Sequence, residues 1–188
     1  MFGLSIIILM QLLSMQTTSE PPLEIKDWHS YVPVSQTVIR QPHRSGEWIT
    51  TPDIIICDSG TVSVGRALKA LEYWKKLGYN FGTVRKAPRH DYNCAKGVPA
   101  PHQIMIDIPS QHFAFGKHIG TTKTWTLSKT GEIFKAKIEI VSGWGNSERV
   151  LEHEMGHALG WGDNSQTGHI MNGSWSLGGL NSRGLKRR

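Results

Sequence analysis

His153 and His157 stand four residues apart, and Glu154 directly follows the first of them. On a helix this spacing places the two imidazoles one above the other on a single face, where both can meet one zinc ion. Glu154 is rotated around the helix but stays within reach of a water held by that ion, which is the position of a general base. Two ligands do not hold a catalytic zinc, which takes three from the protein and leaves its fourth position to water. Gly160 follows Leu159, the last residue the helical pattern supports. A glycine there can adopt the left-handed conformation that ends a helix and turns the chain sharply. Such a turn brings Asp163 back under the histidines, and a carboxylate oxygen binds zinc at about the same distance as an imidazole nitrogen. Asp163 is also at home as an ordinary turn residue in Trp161-Gly162-Asp163-Asn164-Ser165. His169 is then the competing third ligand.

The full run, H-E-x-x-H-x-x-G-x-x-D with Met171 eight residues beyond Asp163, resembles the metzincin superfamily of zinc endopeptidases. The close match covers residues 150–172, and a looser one follows the order of elements upstream. Aspartate as third ligand is similar to the small bacterial snapalysin-type members rather than the matrix metalloproteinases, or matrixins, which use histidine. The resemblance implies a Zn2+ cofactor held by His153, His157 and Asp163, with Glu154 as the catalytic general base and a protein or peptide as substrate. It implies that Met171, in Gly168-His169-Ile170-Met171-Asn172, forms a Met-turn that supports the site from below without being a ligand. Read without it, Met171 is core filler. An exposed helix with a histidine-rich face and a glycine stop would account for His157 and Gly160 but not for the rest of the pattern.

The chain departs from that family in several places. Only seventeen residues follow Met171, so the lower subdomain with its closing helix is largely missing. That leaves open the wall of the pocket receiving the side chain after the cleaved bond. No tyrosine follows the Met-turn to help hold an oxyanion, and no cysteine precedes Cys57 to switch off a zinc ion.

The elements that must position these residues can be read upstream. Ile54-Ile55-Ile56-Cys57 is a short apolar run suited to a strand buried on both faces. Val64, Ala67, Leu68, Leu71, Trp74 and Leu77 repeat at three and four, an amphipathic helix over 63–77 stopped by Gly78. A second strand is expected over 79–84, a loop over 85–102 and a third strand over 103–108, with Ile104, Ile106 and Ile108 on one side. Ser128-Lys129-Thr130-Gly131 joins two runs as a hairpin. In the second, 133–140, Phe134, Ala136, Ile138 and Ile140 form one face and Lys135, Lys137 and Glu139 the other. Asn146 or Ser147 is expected to cap the active helix, with Glu148 in its first turn. The fold expected is α+β (an α/β-type sandwich): a mixed, twisted sheet of about five strands with two main helices. By resemblance it is zincin-like, with a reduced C-terminal subdomain, and 121–127 is the sheet edge along which substrate adds as a strand.

Length and composition fit one domain with tails: 188 residues, 38% hydrophobic, seven tryptophans. The net charge is +6, but Arg183, Lys186, Arg187 and Arg188 lie in the last six positions, so the rest carries only 17 minus 15, or +2. The basicity is a local tail rather than a nucleic-acid-binding face, and a solvated end is its simplest meaning. Residues 1–19 read as a signal peptide or N-terminal anchor, because the apolar run from Phe2 to Met15 is short for a membrane span. Residues 20–50 read as a leader or pro-segment, 51–174 as the catalytic domain and 175–188 as a basic Gly/Ser-rich tail. The mature domain is expected to be secreted and monomeric, with no stable membrane span. Cys57 and Cys94 can form one disulfide in an oxidising compartment, or Cys57 can be a small buried residue. The function expected is zinc-dependent peptide-bond hydrolysis. Its alternatives are a zinc hydrolase of another amide bond, such as one in a cell-wall polymer, and a silent metal-containing binding protein. Retention of Glu154 speaks against the last.

Overall fold

A computed structural model describes residues 23–29, 42–57, 62–109 and 118–187. The expected signal peptide or anchor, 1–19, lies outside these residues, as do 20–22 and 30–41 of the expected leader. The elements in chain order are β1 (Leu23–His29), β2 (Asp53–Ile56), α1 (Val64–Lys75), β3 (Val84–Lys86), α2 (Tyr92–Lys96), β4 (Gln103–Asp107), β5 (Gly120–Leu127), β6 (Ile133–Ile140) and α3 (Val150–Ala158).

The chain is a mixed α+β fold. One sheet runs in the order β1-β5-β6-β4-β2-β3. Strands β3, β2, β4 and β6 are mutually parallel, while β5 is antiparallel to β6, and β1 to β5. Five of the six strands are those expected from sequence. The sixth, β1, comes from the leader and covers the outer side of β5, so 121–127 is not the open edge expected of it. No helix among the described residues is long and apolar enough to cross a membrane.

Helices α1 and α3 pack on one face of the sheet. Ser63 caps α1, its hydroxyl accepting from the Arg66 amide at 3.1 Å. Ala67, Ala70, Leu71 and Trp74 then bury one stripe against Ile54, Ile104, Ile106, Ile138 and Ile140. Leu68, expected on that stripe, is 41% exposed, and Ala70 takes its place. Gly78 ends the turn after the helix at φ +93°, a conformation that favours glycine.

The opposite face of the sheet is covered too, which is why β2 and β4 read as continuous apolar runs. Ile55 and Met105 are buried there, and Lys137 and Glu139, expected on a solvated face, form a buried pair at 2.6 Å. Cys57 and Cys94 are joined by a disulfide that ties the end of β2 to α2.

One strand boundary and one strand register differ from expectation. The strand expected over 79–84 instead runs from Val84 to Lys86, into the expected loop, and Thr83 just before it donates its amide and hydroxyl to Asp53. In β6 the register slips opposite Trp125 and Thr126, so Ile133 enters the core and Phe134 is displaced to lie edge-on to His102.

Candidate metal centre

All nine residues of α3 are buried. Arg66 from α1 grips the first turn, donating to both oxygens of Glu152 at 2.9 and 2.5 Å, and Trp74 Nε1 donates to the Glu152 carbonyl at 2.9 Å. The other end is closed by residues 43–48, which the sequence places in the leader. Trp48 Nε1 donates to the Ala158 carbonyl, and the Ser45 amide to that of Gly160, both at 2.8 Å. These bonds satisfy carbonyls that a helix end leaves without partners. Gly160 sits at φ +94° with the Gly46 backbone pressed against it, leaving no room for a side chain. The expected cap at Asn146 or Ser147 does not form. The helix starts from Arg149, at φ +70° and with no side-chain cap.

The turn after Gly160 returns Asp163 to the histidines. Nε2 of His153 and Nε2 of His157 lie 3.1 Å apart, and Asp163 Oδ1 is 3.6 and 3.4 Å from them. The remaining ring nitrogens fix the tautomers. His153 Nδ1 meets the Ile170 carbonyl and His157 Nδ1 the Trp161 carbonyl, each at 2.8 Å. A carbonyl only accepts, so each Nδ1 carries the hydrogen and each Nε2 turns a lone pair inward. Asp163 Oδ1 is buried and accepts no hydrogen bond among the described residues. Two ring nitrogens and a carboxylate oxygen thus converge, an arrangement that a proton on His157 or a bound cation relieves.

Charge follows the same logic. Burial, reinforced by His157, pushes the His153 pKa down to about 4, so the ring is neutral near pH 7. Burial opposes charge on His157 as well, but Asp163 outweighs it and raises that pKa. Burial works against ionised Asp163, yet the two histidines outweigh it and hold its pKa below the ordinary carboxylate range. Zinc takes imidazole nitrogens in their neutral form beside an ionised carboxylate, so a bound ion would replace the proton that Asp163 favours on His157.

His169 is not part of the cluster. Its Nε2 donates to the Arg183 carbonyl at 3.0 Å, and its Nδ1 accepts from the Met171 amide at 3.1 Å. Its role is to shape the turn whose Ile170 carbonyl orients His153. Met171 is fully buried in this turn, and its sulfur lies against Gly156, where a Cβ would also meet Trp74 at 2.8 Å. Met171 therefore packs against the histidine-bearing helix.

Glu154 is 1% exposed, with Oε2 accepting from the Thr122 hydroxyl at 2.7 Å. A Cβ on Gly120 would come within 2.6 Å of Oε1, so only glycine there leaves the carboxylate room. Glu154 and His153 line one cleft together with His118, Ile119, Arg149 and Trp175. Thr122, Gly120, His118 and Arg149 were not singled out from the sequence. They are distant from α3 along the chain or precede its motif, and no local spacing marks them. The basic tail is docked rather than a solvated end: Leu185 is buried, its carbonyl accepts from Tyr79, and the Arg187 amide donates to Leu77.

No family model, curated protein or solved structure matches this chain.

Proposed function

We propose that the chain is a zinc-dependent metalloendopeptidase of metzincin type, exported from the cytosol. The observation that carries the proposal is the convergence of His153 Nε2, His157 Nε2 and Asp163 Oδ1 on one point, with His153 and the buried Glu154 both lining a cleft. These three residues would hold the metal. When bound, zinc supplies Lewis acidity, lowering the pKa of water and polarising a carbonyl oxygen.

The other tasks fall to the chain's own residues. Thr122 fixes one carboxylate oxygen of Glu154 and leaves Oε1 on the Gly120 side. From there Glu154 takes a proton from the attacking water as the carbon–oxygen bond forms. It gives that proton to the nitrogen as the peptide bond breaks, so the products are a carboxylate and a free amine. The carbonyls of Ile170 and Trp161 keep both imidazoles turned inward, the orienting role that second partners of metal-binding histidines play.

The strand order β3-β2-β4-β6-β5, with α1 and α3 on one face, supports the metzincin-type reading of the fold. The Cys57–Cys94 disulfide supports an oxidising compartment. The antiparallel β1 lies where that reading puts substrate, which supports a leader that covers the substrate edge. The test is hydrolysis of unfolded casein by the full chain and by a form lacking residues 1–41. Cleavage abolished by a chelator and restored by zinc is expected in at least the shortened form. No cleavage by either, with zinc bound, would count against the peptidase assignment.

A further inference from the structure

Arg149 is a buried cation in an unusual setting. It is 8% exposed, and its backbone has φ +70°, a strained region for a residue with a long side chain. Its guanidinium carbon stacks 4.3 Å over the Trp175 ring, and Nη2 donates to the Trp175 carbonyl at 2.5 Å. Gly178 lies so close that a Cβ there would collide with the guanidinium. Trp144 braces Trp175 edge-on at 5.6 Å between ring centres. Among the described residues no carboxylate pairs with Arg149; a carbonyl and an aromatic face are its partners. A guanidinium presents five N–H donors in a planar fork matched to a carboxylate, so most of this one's capacity is unspent. Burying a charge without a counter-charge is costly, and proteins keep such groups where a ligand completes them.

The direction in which a peptide would reach this group can be read from β1. Leu23 lies opposite Leu127 and His29 opposite Thr121, so an antiparallel strand on β5 runs toward Gly120. Gly120 touches Glu154, and the next residues back along the chain, Ile119 and His118, line the cleft that contains Arg149. A peptide with this polarity passes Glu154 first and then enters the Arg149 cleft.

We infer that Arg149, stacked on Trp175, is a specificity-determining residue that receives an acidic side chain, Asp or Glu, from the substrate residue immediately after the cleaved bond. This rests on the peptidase reading for the word "cleaved", but the recognition itself is separable from catalysis.

The test uses the zinc-loaded chain carrying Glu154→Gln, and peptides amidated at the C-terminus that differ only by Glu or Gln at one position. Calorimetry measures binding at the site, with β1 displaced or removed by deletion of residues 1–41 so that the edge is open. The Glu peptide is expected to bind about tenfold or more tightly than the Gln peptide, as for a buried polar group left unpaired by the wrong ligand. Arg149→Gly, which suits φ +70° and so keeps the backbone, should erase the difference. Arg149→Lys should retain part of it. Equal binding of the two peptides, or a preference that survives Arg149→Gly, would overturn the inference. Hydrolysis by the parent chain with Glu154 intact reports on the peptidase reading alone, because the binding preference does not depend on turnover.

Discussion

His153 Nδ1 donates to the Ile170 carbonyl across 2.8 Å, tying the first histidine of α3 to the turn that carries Met171. The same turn is closed from behind by His169, whose ring accepts from the Met171 amide. His169 and Asp163 were rivals for one role, and the hydrogen bonds divide the labour between them. Asp163→Asn should lower zinc affinity by at least tenfold, since removing a ligand charge weakens a site built on it. In His169→Gln any loss should appear as lower stability rather than lost stoichiometry. Chelator competition on the folded variants separates the two. Stoichiometric zinc in Asp163→Asn at wild-type affinity would return the question to His169.

Zinc should stabilise the fold as well as occupy it. A ligand that binds only the native state at a hundred times its Kd adds about 2.7 kcal/mol. The melting temperature should therefore rise with zinc and fall back on chelation. Magnesium, which prefers an all-oxygen octahedral shell, should have no such effect. A melting curve indifferent to zinc would mean that the three acceptor atoms are satisfied in some other way.

Arg66 and Glu152 form a pair with side chains 9% and 8% exposed. Arg66→Met leaves a buried carboxylate unpaired at the start of α3, and should cost about 3–5 kcal/mol in urea unfolding. Replacing both partners with apolar residues should recover much of that loss, because no charge is then stranded. A loss under about 1 kcal/mol for the single variant would mark the pair as a surface-like contact.

Gly156 sets two effects against each other. Alanine is the better helix former by about 1 kcal/mol. Its Cβ, however, would press on Met171 and lie 2.8 Å from Trp74, a ring that is fully buried and cannot yield. The clash should win, with Gly156→Ala destabilising by about 1–3 kcal/mol. Adding Met171→Ala should change the stability by less than the sum of the two single effects, since the residues share one contact.

The His153, His157 and Asp163 cluster was legible because it is local. A four-residue helical spacing, a glycine and a three-residue return bring His153, His157 and Asp163 together. The amphipathic stripe of α1 and both hairpin strands were legible for the same reason, although Leu68 and Phe134 fell on the wrong side. What was not legible depends on partners far along the sequence. Thr122 and Gly120 shape the surroundings of Glu154 from a strand 32 residues away from it, by the Thr122 contact. Residues 43–48 look like leader but cap α3, through the Trp48 and Ser45 hydrogen bonds and the close approach of Gly46 to Gly160. The start of α3 at Arg149 defeats cap rules, because a residue held at φ +70° does not satisfy the helix with its side chain. The β1 pairing is a long-range backbone match that no periodicity in 20–50 announces.

Strand β1 also makes a prediction about the intact chain. If it covers the edge used by substrate, deleting residues 1–41 should raise the rate of casein hydrolysis severalfold, and a synthetic peptide of residues 22–30 should bring it back down. A rate unchanged by both would make β1 a structural strand alone.

The most direct test of the central claim compares the purified chain with its Glu154→Gln variant, both freed of residues 1–41, for zinc content and casein cleavage. One zinc per chain in both, with chelator-sensitive cleavage only when Glu154 is present, is the expected result. Equal cleavage by the variant, or a chain that takes up no zinc, would contradict it.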